Sequence, residues 1–105
     1  MNRLSRALAG YGRLAEKYGH PIALKTFVLQ RLRWNRPIRV TLFGERIAVR
    51  MGSPDLEVAK SSLGGEFAPL EGLLPKTYSG LIVDAGGYIG TAAIKLARFY
   101  PMARI

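Results

Sequence analysis

Residues 81–105 read LIVDAGGYIGTAAIKLARFYPMARI, and this stretch decides the fold class. Leu81-Ile82-Val83 is a short unbroken aliphatic run, as expected of a strand buried on both faces of a parallel sheet. Asp84 follows at its carboxyl end, then glycines at 86, 87 and 90. A helix is predicted from about Ile89 to Tyr100, with Ala92, Ala93, Leu96 and Ala97 as its packed face, and Pro101 ends it. Ala103-Arg104-Ile105 reads as the start of the next strand. The stretch is a β-α unit whose second β has just begun, so the expected class is α/β, with an incomplete Rossmann-like sheet.

Ligands of open α/β sheets bind outside the carboxyl ends of strands, which is where DAGGYIG falls. Glycine there lets the backbone bend tightly and approach a ligand with no side chain between. From Gly86 the spacing is G-x-x-x-G, not the G-x-G-x-x-G that cradles a pyrophosphate, and the lysine of a P-loop is absent. An acid two residues before the first glycine suits a ligand with an amino group and a ribose. The competing reading is that the glycines only permit close strand–helix packing.

Upstream, Leu4, Ala7, Leu8, Tyr11, Leu14, Ala15 and Tyr18 recur at three- and four-residue spacing, an amphipathic helix. Arg3, Arg6, Arg13 and Lys17 take much of its other surface, and Gly19-His20-Pro21 stops it. A second helix is predicted from about Pro21 to about Arg33. After the turn at Asn35-Arg36-Pro37, the segment from Ile38 to Met51 alternates around Gly44-Glu45 and predicts a β-hairpin. Ile38, Val40 and Leu42 face one way, and Ile47 and Val49 answer them. Residues 53–63 predict a short helix with Ser53 as cap, Pro54 in the first turn, and Asp55 and Glu57 at the positive end of the dipole. Gly64-Gly65 ends it, and residues 66–80 are mostly loop. The chain thus divides into a basic helical extension (1–37), a hairpin, helix and loop (38–80), and the start of a sheet domain (81–105).

Taken in this order, the hairpin, the Ser-Pro-Asp turn, Gly65-Glu66-Phe67 and the closing motif resemble the FkbM type of S-adenosylmethionine-dependent methyltransferase over roughly residues 38–105. The resemblance implies a transferase that moves a methyl group from S-adenosylmethionine to a hydroxyl of a small metabolite or glycan. It also implies cofactor binding by the turn Asp84, Ala85, Gly86, Gly87, Tyr88 and Gly90. Gly87 stands where the family has alanine, and Tyr88 where it has asparagine. Such an enzyme fixes the cofactor ribose with an acid at the end of its second strand. By analogy with nucleotide-binding folds that acid falls about 20 residues beyond the turn, past Ile105. The expectation is therefore the front part of a longer enzyme, inactive by itself, in which no catalytic residue is identified.

Composition bounds the alternatives. A chain of 105 residues allows one small domain, and half its residues are apolar, as in globular chains. It has no cysteine, hence no disulfide and no thiolate metal site; with one histidine, His20, and seven acids, no metal site is expected. The apolar runs fall short of the roughly 20 residues that span a bilayer, and the N-terminus lacks the apolar core of a secretory signal. The expected compartment is the cytoplasm.

The net charge of +9 lies in the first half: residues 1–50 hold eleven Lys and Arg against Glu16 and Glu45, whereas residues 51–105 hold five of each sign. Arg31, Arg33, Trp34, Arg36 and Arg39 form a compact basic-aromatic cluster. Three readings of the basic half stand: a solvated face over the sheet, docking on an anionic membrane surface, and phosphate contacts to nucleic acid. No nucleic-acid motif accompanies the cluster, which disfavours the last. The class opposed to an enzyme is a non-catalytic basic adaptor, or a module that binds a membrane surface or nucleic acid.

Overall fold

The computed structural model describes residues 2–105, which form a mixed α/β arrangement of four α-helices and a two-stranded antiparallel hairpin. The helices are α1 (Arg3–Tyr18), α2 (His20–Arg31), α3 (Asp55–Leu63) and α4 (Thr91–Phe99); the strands are β1 (Ile38–Leu42) and β2 (Glu45–Val49). A single 3-10 turn, Ala68–Leu70, interrupts the loop between α3 and α4.

Local chemistry sets the helix ends. Asn2 caps α1, its Oδ1 accepting from Ser5 N at 2.8 Å. Gly19, at φ 85°, reverses the chain into α2, and Pro21 occupies the first turn of α2. Both predicted helices are present, α2 ending two residues before the expected Arg33. α3 starts at Asp55 with Pro54, not the expected Ser53, at its cap position; Ser53 Oγ accepts from Asp55 N at 3.2 Å and donates to Arg50 O, so the serine holds the bend ahead of the helix.

The hairpin pairs Ile38 with Val49, Val40 with Ile47, and Leu42 with Glu45. All five apolar members are buried, and the opposite face (Arg39, Thr41, Arg46, Ala48) is exposed, the alternation of a sheet with one wet side. The turn is one residue earlier than the sequence reading put it. Phe43 and Gly44 form it, both at positive φ (50° and 78°), as in type I′ hairpins. Phenylalanine is not a residue that advertises such a turn, which is why the spacing misled.

The core gathers Ile22 of α2, the inner face of the hairpin, and Ala59 and Leu63 of α3. Ile89 and Ile94 pack against it from the region of α4. Polar ties link the layers: Arg98 donates to both carboxylate oxygens of Glu45 (2.7 and 3.1 Å), Lys95 to Leu63 O, and Lys17 to Glu57. α1 contributes no buried residue. The radius of gyration is 16.6 Å, against about 13 Å for a compact domain of this length. The core is therefore small, and α1 lies along its outside.

Two expectations need correction. Leu81–Val83 is not a strand buried on both faces: it makes one isolated parallel bridge, Leu81 with Arg104, and Leu81 and Val83 are 60% and 74% exposed. With a single neighbour the aliphatic run is an edge. In α4, Ala92, Ala93 and Leu96 are half-buried but Ala97 is exposed; Thr91 and Phe99 are the buried positions. The start of pairing at Arg104 agrees with the expected second strand.

Candidate functional site

The glycine turn lies where the sequence put it, at the carboxyl end of the 81–83 segment. Ile82 N donates to Arg104 O (2.7 Å) and Arg104 N to Gly80 O (2.9 Å), so the two segments flanking α4 run parallel. Between them Gly86 and Gly90 are both at φ 82°, and Gly90 is the N-cap of α4. Gly90 N donates to Gly87 O at 2.8 Å and closes the last bend. A Cβ at Gly86 or Gly90 would meet no protein atom within 4 Å. Glycine is thus required there by backbone conformation, not by crowding from the chain. Ala85, Gly86, Gly87 and Tyr88 are all exposed, and the first turn of α4 holds neither an acid nor a side-chain cap, leaving its opening N–H groups available.

Asp84 is half-buried, yet its Oδ2 is shut off from solvent and has no hydrogen-bond partner within the chain. A buried carboxylate oxygen without a donor is uncommon and calls for a ligand, ion or water.

Beside the turn is a network that sequence reasoning missed. Asp55, the first residue of α3, is fully buried. Its Oδ2 accepts from Arg50 N and Nε, and its Oδ1 from Arg50 Nη2, each at 2.9 Å. Tyr88 completes the set, its hydroxyl donating to Asp55 Oδ1 at 2.6 Å. The Arg50 guanidinium holds the Asp55 carboxyl well below the usual carboxylate range; burial opposes this and the Tyr88 hydroxyl reinforces it. In return Asp55 raises the phenol of Tyr88. Tyr88 itself sits at φ 47°, a left-handed conformation uncommon for an aromatic residue. Its ring is therefore anchored by the hydroxyl to α3, and the glycine turn is tied to the helix that follows the hairpin. The available sign was an arginine five residues before an acid in a Ser-Pro-Asp turn; the third partner, 33 residues on, left none.

The remaining candidates lie apart from this site. His20 Nδ1 and the Tyr11 hydroxyl share a hydrogen bond of 2.8 Å where α1 meets α2, a structural contact. Arg31, Arg33, Trp34, Arg36 and Arg39 are all exposed, with the Arg31 guanidinium 3.4 Å over the Phe27 ring. Among the described residues no group of three or more His, Cys, Asp or Glu could hold a metal, and no helix is long and apolar enough to cross a membrane. No protein family, curated protein or solved structure matches the chain.

Proposed function

We propose that the chain carries the methionine-binding turn of an S-adenosylmethionine-dependent O-methyltransferase of the FkbM type, built on a Rossmann-like sheet. The observation that carries this reading is the buried, unpartnered carboxylate oxygen of Asp84 at a glycine turn between two parallel-paired segments. The donor set fits the cofactor. Asp84 would accept from its ammonium group, and the backbone at Gly86 and Gly90 has room for a ligand to approach. When bound, S-adenosylmethionine supplies an electrophilic methyl group on a sulfonium.

The chain's own contribution is positional. Arg50, Asp55 and Tyr88 hold the turn in place, and the turn orients the cofactor for attack by a substrate hydroxyl. The exposed edge at Leu81 and Val83 is where further parallel strands would add, and those strands would bring the ribose acid and the acceptor pocket. The acceptor is a hydroxyl of a small metabolite or glycan.

Calorimetric titration of the full-length gene product with S-adenosylmethionine tests this reading. Gly86→Val should abolish binding and Asp84→Ala should weaken it, both with unchanged circular dichroism. Undiminished affinity in Gly86→Val rejects the assignment.

A further inference from the structure

α1 is strongly amphipathic: Ala7, Tyr11, Leu14, Ala15 and Tyr18 of its apolar stripe are half-buried, but Leu4 and Leu8 at its start are exposed. The part of an apolar stripe that its own core does not absorb is available to something else. α2 buries Ile22, Ala23 and Thr26 and leaves a further apolar row on its outer side. Leu4 and Leu8 are one turn apart on α1, and Leu24 and Val28 on α2 and Leu32 at its C-cap follow at four-residue intervals; all five are exposed, as is Trp34 just beyond. Arg6 and Ala7 share a groove with Gln30 and Arg31, so the start of α1 lies beside the end of α2. Leu4, Leu8, Val28 and Leu32 therefore belong to the same end of the helical hairpin.

The charge at that end is of one sign. Arg3, Arg6, Arg31, Arg33 and Arg36 are exposed and make no ion pair among the described residues. Glu16, the one acid of α1 and α2, lies toward the other end of α1.

We propose that this end of the α1–α2 hairpin docks on an anionic lipid bilayer, with its leucines in the headgroup–acyl boundary and its arginines on the phosphates. Charge complementarity selects an anionic partner. The exposed leucines and the tryptophan select a bilayer over nucleic acid, because phosphate contacts to a duplex use arginine but leave aliphatic stripes in water. A second copy of the chain would bring its own arginines against these and be repelled. The docking surface is separate from the glycine turn and does not depend on the function proposed for it.

Trp34 is the chain's single tryptophan, so its emission reports this surface alone. The 105-residue chain is mixed with vesicles of phosphatidylcholine, and with vesicles in which about one third of the lipid is phosphatidylglycerol, at an ionic strength of about 0.15 M. Cosedimentation and a blue shift of Trp34 are expected with the anionic vesicles only. Leu8→Ser with Leu32→Ser should reduce vesicle binding by about tenfold or more, with helicity unchanged by circular dichroism. Arg33→Glu with Arg36→Glu lies outside both helices, should abolish binding, and keeps the test decisive if the serine pair unfolds.

No cosedimentation or no blue shift with anionic vesicles overturns the proposal. So does binding that a folded serine pair leaves unchanged, which would mean adsorption by charge alone. A duplex oligonucleotide that binds more tightly than the anionic vesicles, or a dimer that the serine pair dissolves, also overturns it by assigning the surface to another occupant.

Discussion

The hydroxyl of Tyr88 donates to the buried carboxylate of Asp55 across 2.6 Å, joining residues 33 apart in sequence. One end of that bond is in the glycine turn and the other opens α3, so the turn cannot move without disturbing the helix. The tyrosine at this position is thereby explained: its ring fastens the turn to α3. Tyr88→Phe should keep the fold and loosen the turn. Amide exchange at Gly86, Gly87 and Gly90 is expected to quicken, with that of β1 and β2 unchanged. Equal exchange at the turn in both proteins would show that the bond restrains nothing.

Asp55→Asn should destabilise the chain by about 2 kcal/mol at neutral pH, since a buried acceptor of four hydrogen bonds loses its charge and one oxygen. The figure stays low because the Arg50 side chain is 59% exposed and water can take up its donors. Urea unfolding of the two proteins, followed by circular dichroism, gives the difference directly. A change within error would place the folded state's stability elsewhere.

The same carboxylate fixes how stability depends on pH. Asp55 is held well below the usual value by Arg50, against the opposing effect of burial. A depressed carboxyl stabilises the folded state fully above its unfolded value of about 4, and that contribution fades as the pH falls toward the folded value. Glu45, lowered by the hydrogen bonds from Arg98, acts in the same direction. The parent chain should therefore lose stability steadily below about pH 4, and Asp55→Asn should flatten that slope, narrowing its deficit. Parallel slopes in the two proteins would contradict the assignment.

What the sequence made legible was local. The three-and-four spacing found α1, the alternation from Ile38 to Val49 found the hairpin, and Pro101 marked the end of α4. The failures were of three kinds. Phe43 adopts a positive φ that phenylalanine does not announce, so the alternation alone centres the turn one residue late. Leu81–Val83 is aliphatic enough for a central strand, but composition cannot state how many neighbours a strand has. The bond from Tyr88 to Asp55 depends on how α4 and α3 meet, and no periodicity within either records that. For the candidate site, the turn itself was visible and its anchor was not.

Two glycines should respond oppositely to alanine. Gly44, at φ 78° in the hairpin turn, admits a side chain only with strain, so Gly44→Ala should cost about 1 kcal/mol. Gly12 lies inside α1, where a Cβ would meet nothing within 4 Å; Gly12→Ala should gain about 0.5–1 kcal/mol of helix stability. Thermal melts of the two variants decide this, and a gain from Gly44→Ala would reject the positive-φ turn.

The edge at Leu81 and Val83 carries the last prediction. Pairing with Arg104 uses one side of the segment; on the other, Leu81 O accepts only from the Tyr78 hydroxyl and no strand pairs beside the two exposed aliphatic residues. Such an edge is a template for pairing with another chain. The small core, to which α1 adds only the half-buried Tyr18, leaves little stability to resist that association. In sedimentation velocity runs the 105-residue chain should show concentration-dependent association. Val83→Lys puts a charge on the exposed edge without touching the core and should shift the population to monomer. A chain that stays monomeric at every concentration, or one whose association is unaffected by the lysine, would show that this edge is not the reactive surface.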